Sequence, residues 1–337
     1  MTEQTDERSP VPGAPLDETR ARAGAPVPGT RGGRTTGHRR RNDRRPTRRA
    51  ERGGLFAFVL IAPSIVVLLG LVAYPIITVA RQSLEEYNLL QPGTFVGLDN
   101  YTFLLTSDPF FWKVVRNTVV WTLSTVTLEM TLGLLIALAL NQAVVGRGFF
   151  RGLVSMPWIV PPVTAGLIWG TLYNPRSGPI NDWLQALGLP GLNWLSSSDT
   201  AMFSLVIVAV WKYTPLMVVG LLAALQAIPG EQYEAAAMDG ASQLRTFFHV
   251  TLPALAPIMT ILTILTVMWR WAQFDLVNIM TGGGPANSTQ LISTYAYNRA
   301  IGRLEVGVAS AMAILGVLLV IAVTGRFIRR IVREDLH

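Results

Sequence analysis

Residues 228–253 read IPGEQYEAAAMDGASQLRTFFHVTLP, a polar interval between two long apolar runs. Pro229 stops the run before it, and Pro253 opens the one after it. Between them the pattern predicts a short helix whose first turn carries Glu231 and Glu234, where negative charge complements the helix dipole. Ala235, Ala236 and Ala237 follow, so one side of that helix has almost no side-chain bulk. Asp239 and Gly240 come next, and glycine permits a sharp turn or the close approach of another surface. Leu244, Phe247 and Phe248 then resume helical spacing. A helix lying on a membrane surface would account for the phenylalanines. It does not require an acidic, alanine-stripped knob pointing away from them. Such a knob suits insertion into a groove on another protein.

Outward from this loop, apolar runs of about 20 residues recur, the length a bilayer core of roughly 30 Å demands. Six spans are expected, at 55–80, 117–140, 152–173, 202–226, 254–276 and 304–326, within a membrane domain covering 54–333. Composition agrees, with 50% hydrophobic and only 15% charged residues, against about 25% charged in soluble domains. The expected class is therefore an all-α integral membrane fold. Prolines within or beside the spans (Pro63, Pro75, Pro157, Pro161, Pro162 and Pro215) each remove a backbone donor and bend a helix.

Of the 28 basic residues, thirteen lie before Gly53, all of them arginine. Residues 1–53 have hardly an apolar side chain to bury and are expected to be disordered. Their distal arginines abut the first span, as a positive-inside anchor on anionic lipid headgroups does. This reading is preferred to a nucleic-acid-binding arm, and a signal peptide would have a shorter basic region and a shorter apolar run. The arginines fix both termini as cytoplasmic, with the 228–253 loop on the same side. The outer segments are expected to be short and ordered, with Trp183 and Trp194 as interfacial anchors. The chain has no cysteine, and His38, His249 and His337 are too scattered to form a metal cluster. No grouping of His, Asp or Ser forms a triad, so an enzyme is not expected.

Glu234-Ala235-Ala236, Gly240 three residues later and Leu252-Pro253 after eleven more resemble the EAA loop of ABC-importer permeases. The extended pattern Asp239-Gly240-Ala241-Ser242, Phe248 and Thr251-Leu252-Pro253 is similar to the carbohydrate-uptake, maltose-type branch. Supporting similarities are Val96-Gly97-Leu98-Asp99-Asn100-Tyr101, Gly178-Pro179-Ile180-Asn181, Trp211-Lys212-Tyr213-Thr214-Pro215 and Thr281-Gly282-Gly283-Gly284-Pro285. The resemblance covers about 54–330. It implies the six-helix, MetI-like fold of a type I importer permease in a bacterial inner membrane. It also implies that the loop is a coupling helix docking on a dimeric cytoplasmic ATPase, through Glu234, Ala235, Ala236, Asp239 and Gly240. ATP and magnesium would belong to that ATPase, since this chain has no Gly-x-x-x-x-Gly-Lys-[Ser/Thr] loop and needs no cofactor of its own. A second permease and an extracytoplasmic sugar-binding protein are the other implied partners.

Ionisable residues inside spans are costly and usually face a cavity or a partner. Glu129, Lys212, Arg270 and Asp275 fall within the expected spans. Lys212, Tyr213 and Leu216 share one face of span four with Ala209, and Thr266, Arg270 and Gln273 share one face of span five. The resemblance places sugar contacts on the same two faces. The competing reading ties Lys212 and Arg270 structurally to carbonyls or to Glu129 and Asp275. For cargo, a sugar is expected, with glycerol phosphate or a related anionic polyol as the alternative. An ion-coupled secondary transporter would want repeated halves and paired acids, and it leaves the Glu234 loop unexplained.

Overall fold

A computed structural model describes residues 59–88, 90–142 and 146–334. The arginine-rich tail expected to be disordered lies outside these residues. The chain divides into two units, Met1–Ala62 and Pro63–His337, and the architecture that follows belongs to the second.

Among the described residues, five helices are long and apolar enough to cross a membrane: α1 (Val59–Gln82), α3 (Phe111–Asn141), α7 (Ala201–Ala227), α9 (Gln243–Trp271) and α12 (Val306–Glu334). α4 (Arg147–Ile159) and α5 (Pro162–Leu172) meet at 95° and make a sixth when the pair is counted as one broken span. The expected continuous span at 152–173 is thus two half-helices. Pro161 and Pro162 cannot donate to the preceding turn, and their rings clash with its carbonyls. The short pieces are α2 (Asp99–Thr102), α6 (Pro179–Ala186), α8 (Gly230–Met238), α10 (Asp275–Met280) and α11 (Ile292–Tyr297).

The fifth crossing departs from its expected limits at both ends. It begins at Gln243, inside the polar loop, because Ser242 caps it through Arg245 N–H (3.4 Å). A π-helical turn at Phe247–Thr251 ends just before the Leu252-Pro253 pair, where the proline has no donor to give. The helix stops at Trp271, so Asp275 is not in the span; it is exposed at the start of α10.

Buried side chains gather in three clusters. One, around Trp121, Tyr173, Trp194 and Leu205–Val210, fills the end of the bundle near α6. The second, around Ala137, Met217–Leu225, Leu255 and Leu262, fills the end near α8. The third joins α3 to α11 and α12 through Phe111, Trp271, Tyr295 and Met312. α7 runs through the first two and is the most enclosed span, with 67% of its apolar window buried against none for α1. α3 and α7 cross closely at Gly133, where an added Cβ would sit 2.4 Å from the Met217 Cβ on α7. Small residues at such crossings let backbones approach in a medium where apolar side chains gain nothing by leaving lipid.

The segments expected on the outer side are ordered in ways the turn residues only partly foretold. A small antiparallel hairpin, β1 (Glu85–Asn88) and β2 (Gln91–Phe95), pairs Glu85 with Phe95 and Glu86 with Thr94. Asn100 anchors it by donating to the carbonyls of Ser83 (3.0 Å) and Glu85 (2.9 Å). Asn181 organises the next of these segments, donating to the Leu192 carbonyl (3.0 Å) while its Oδ1 accepts from Leu192 N–H (3.0 Å) and Trp194 Nε1–H (2.8 Å). Trp194 is consequently buried and stacks on Tyr173 at 5.0 Å, so it is a core residue and not the expected interfacial anchor. Trp183 is exposed.

Candidate functional site

Two sites lie at different levels of the same helices. Between the first and second apolar clusters, α3, α7, α9 and the turn just past α9 contribute a belt of buried polar side chains: Glu129, Lys212, Thr266, Arg270 and Gln273. Tyr213 stands among them, half-buried. The helical register read from sequence turns Lys212, Tyr213, Thr266 and Arg270 toward one place, whereas Gln273, expected on the face of span five, lies past the end of α9 and joins them from the turn.

Arg270 is the centre of the belt and only 3% exposed. Its Nε lies 3.1 Å from Oε1 of Glu129, a carboxylate with no exposed surface. Its Nη1–H donates to Gln273 Oε1 at 2.9 Å. The guanidinium also lies over the Tyr213 ring, 3.6 Å from its centroid, within the range of a cation–π contact. The Arg270 carbonyl, in the last turn of α9, accepts from Trp121 Nε1–H at 3.0 Å as well as from Gln273 N–H at 3.3 Å.

Lys212 approaches the same ring at 5.2 Å, but its ammonium donates to the Val160 carbonyl. Val160 is the C-cap of α4 at the break in span three, so no following helical turn donates to its carbonyl. Lys212 supplies that donor from α7. Thr266 is buried one turn from Arg270, with its hydroxyl 3.9 Å from the Met217 sulfur. Leu216 is half-buried and packs against the cluster nearer α8. Lys212, Tyr213, Arg270 and Gln273 meet directly, therefore, and Thr266 and Leu216 lie alongside. Glu129, singled out for its cost in a span, joins the group as the ion-pair partner of Arg270. Asp275 does not.

The second site is α8 and the turn behind it. Gly240 has φ +72°, and the turn closes with Gly240 N–H to Ala237 O (3.0 Å) and Ala241 N–H to Ala236 O (2.9 Å). This is the Schellman arrangement, which needs a left-handed residue just past the helix. Glu231 is in the first turn of α8; Glu234 falls in the second and not the first, with its side chain exposed. Ala235 and Asp239 are exposed, Ala236 half-buried, and Met238 is 88% exposed. The opposite side is held by Tyr233, whose hydroxyl lies 3.3 Å from that of Thr251 on α9. The knob thus faces away from the bundle, with α7 leading into it and α9 leaving it.

A third polar group, at the Phe111 end of α3, was not legible as a cluster. Asp108 accepts from the N–H groups of Phe110 (2.8 Å) and Phe111 (3.2 Å), satisfying the start of α3. Its carboxylate also accepts from Tyr295 OH (3.0 Å) and from Arg299, which bonds Glu305 as well. Burial raises the Tyr295 phenol above its ordinary value, which keeps the proton it donates. An aspartate just before a long apolar helix is the one local signal that could have pointed here.

Residues 129–334 match the family described as binding-protein-dependent transport system inner membrane component. The chain is 38% identical to the trehalose/maltose transport system permease protein MalF of Thermococcus litoralis, over 81% of this chain and 94% of that protein. It is 34% identical to the sulfoquinovosyl glycerol transport system permease protein SmoG of Agrobacterium fabrum, over 83% and 92%. Among solved structures, a chain of a bacterial ABC transporter involved in import of the acidic polysaccharide alginate superposes with a TM-score of 0.73. That likeness covers 85% of this chain and 98% of the other, at 21% identity, and it is a likeness of fold.

Proposed function

The chain belongs to the binding-protein-dependent inner membrane component family of ABC importers, and from that membership we propose that it forms half of a sugar path driven by ATP hydrolysed on another chain. The observation that carries this reading is the shared framework of the two sites. α7 joins Lys212 and Tyr213 to α8, and α9 joins α8 to Arg270. A push on the exposed knob therefore reaches the belt through two continuous helices, of which α9 alone, 29 residues long, spans about 43 Å at 1.5 Å per residue. The chain contains no phosphate-binding glycine loop, so ATP and magnesium belong on a dimeric cytoplasmic ATPase docked at Glu234, Ala235, Ala236, Asp239 and Gly240. A second permease completes the path, and an extracytoplasmic binding protein delivers the sugar.

Lys212, Tyr213, Leu216, Thr266, Arg270 and Gln273 are the proposed path residues. A sugar presents hydroxyls in several directions and a C–H face, which donors and acceptors grouped about an aromatic ring can meet. The charge balance favours a sugar over an anionic polyol. The Glu129 carboxylate offsets the Arg270 charge at 3.1 Å and Lys212 donates to the Val160 carbonyl, so a phosphate here would meet an adjacent carboxylate and no unengaged ammonium. The arginines before the first span place both termini, and the coupling helix, in the cytoplasm.

Glu234→Lys tests the reading. Glu234 is exposed, so the substitution leaves the fold alone and reverses charge only on the docking face. Binding-protein-dependent uptake in proteoliposomes should fall by at least about tenfold, the effect of truncating a charged contact at an interface, with membrane insertion unchanged. Wild-type uptake, or uptake by this chain alone without ATP, would refute the proposal.

A further inference from the structure

The belt contains an acceptor that the path residues above do not include. Glu129 has no exposed surface, and among the described residues no hydrogen bond reaches either of its carboxylate oxygens. Arg270 Nε is 3.1 Å away, yet its N–H is not aligned on the oxygen and is itself without a hydrogen-bonded partner. The guanidinium has given Nη1 to Gln273 and lies over Tyr213. Close in distance but unbonded, the pair is not built as a permanent brace.

The Asp108 network shows what a brace in this protein looks like. Asp108 is equally enclosed, and its carboxylate accepts from two backbone N–H groups, a phenol and a guanidinium. A buried carboxylate has room for about four hydrogen bonds, and leaving that capacity empty is costly. Nature fills such capacity at Asp108 and leaves it open at Glu129.

We infer that Glu129 is a specificity-determining residue of the path: its carboxylate accepts hydroxyl hydrogens from the passing sugar, while Arg270 offers donors to a neighbouring oxygen. The inference rests on the sugar-permease reading and adds α3 as a third wall to the two faces on α7 and α9. Between sugars, the Arg270 charge at 3.1 Å keeps the unbonded carboxylate tolerable. A sugar supplies the donors that this arrangement lacks. The ligand class is a polyhydroxylated neutral compound, since an added anion would meet the Glu129 charge directly.

The test uses the whole importer in proteoliposomes, with sugar-loaded binding protein at saturation so that selection by that protein drops out. Uptake of a panel of neutral mono- and disaccharides is measured against their monodeoxy analogues. In wild type, at least one parent sugar should outrun a deoxy analogue by about tenfold or more, as loss of a hydrogen bond to a charged group predicts. In Glu129→Gln that preference should collapse to below about twofold, which is less than half a kcal/mol. Wild-type ratios in Glu129→Gln overturn the inference. If Glu129→Gln fails to assemble, judged by loss of the intact complex in size-exclusion chromatography, Glu129→Asp is read by the same ratios. Failure of both to assemble also overturns it, because the carboxylate is then architectural. Unaltered ratios here, with uptake still abolished by Glu234→Lys, would remove this inference and leave the permease reading standing. Uptake of no member of the panel would remove both.

Discussion

At the scale of the residue, Arg270 decides how the belt has to be probed. Taken from the sequence alone, it is a path residue whose removal changes substrate handling. In the structure it is also the only charge compensating Glu129 among the described residues. Arg270→Ala would therefore strand a buried carboxylate, at a cost of about 3–5 kcal/mol. Thermal unfolding in detergent should show a large fall for Arg270→Ala and recovery of most of it in the double variant Arg270→Ala with Glu129→Ala. Equal melting of the single and double variants would mean that the two residues are not coupled. Only the double variant then reports on transport without an instability beneath it. The sequence made each of these residues visible, because a charge in a span is conspicuous wherever it lies. It named Glu129 and Asp275 as partners Arg270 could take and did not separate them; the structure pairs Arg270 with Glu129 and leaves Asp275 exposed. That depends on where α9 stops, which is set by packing and not by local composition. Lys212 was equally visible, and its partner was not: the Val160 carbonyl lies at the end of α4, some fifty positions away.

At the scale of the element, each apolar run read from the sequence falls on a long helix or on the bent α4–α5 pair, since bilayer thickness imposes a similar length on each, but the limits differ, by eleven residues at the start of α9. What they missed were the features that polar side chains build. The extension of α9 to Gln243 rests on the Ser242 cap, and the hairpin rests on Asn100. The break in span three was written in Pro157, Pro161 and Pro162, but not its 95° angle. The α3–α7 crossing carries its own prediction. Gly133 faces Met217 so closely that even a methyl group must displace backbone or side chain, and Met217 is itself enclosed by the second apolar cluster. Gly133→Ala should cost about 1–3 kcal/mol, as overpacking in a close-packed core does, measurable as a lowered midpoint of thermal unfolding. An unchanged midpoint would show that α3 and α7 can slide apart without loss, and the rigid link assigned to α7 would fail with it.

At the scale of the whole molecule, the transport reading needs the coupling knob and the Asn181 loop on opposite sides of the membrane, with the knob inside. An even number of crossings separates α8 from the arginine tail, and an odd number separates that tail from α6, when α4 and α5 count as one. The absence of cysteine makes the arrangement directly measurable, because a single introduced thiol is the only one present. Met238 at the end of α8 and Leu187 just past α6 are suitable positions, at 88% and 76% exposure. In membranes containing this chain without the ATPase, Met238→Cys should react with a membrane-impermeant maleimide only in inverted vesicles. Leu187→Cys should react only in intact cells or right-side-out vesicles. Both thiols reacting from one side would mean that α4 and α5 form a re-entrant pair and not a crossing. The reversed pattern would put Glu234 outside the cell, where no ATPase can push it, and neither the belt nor the knob could then work as described.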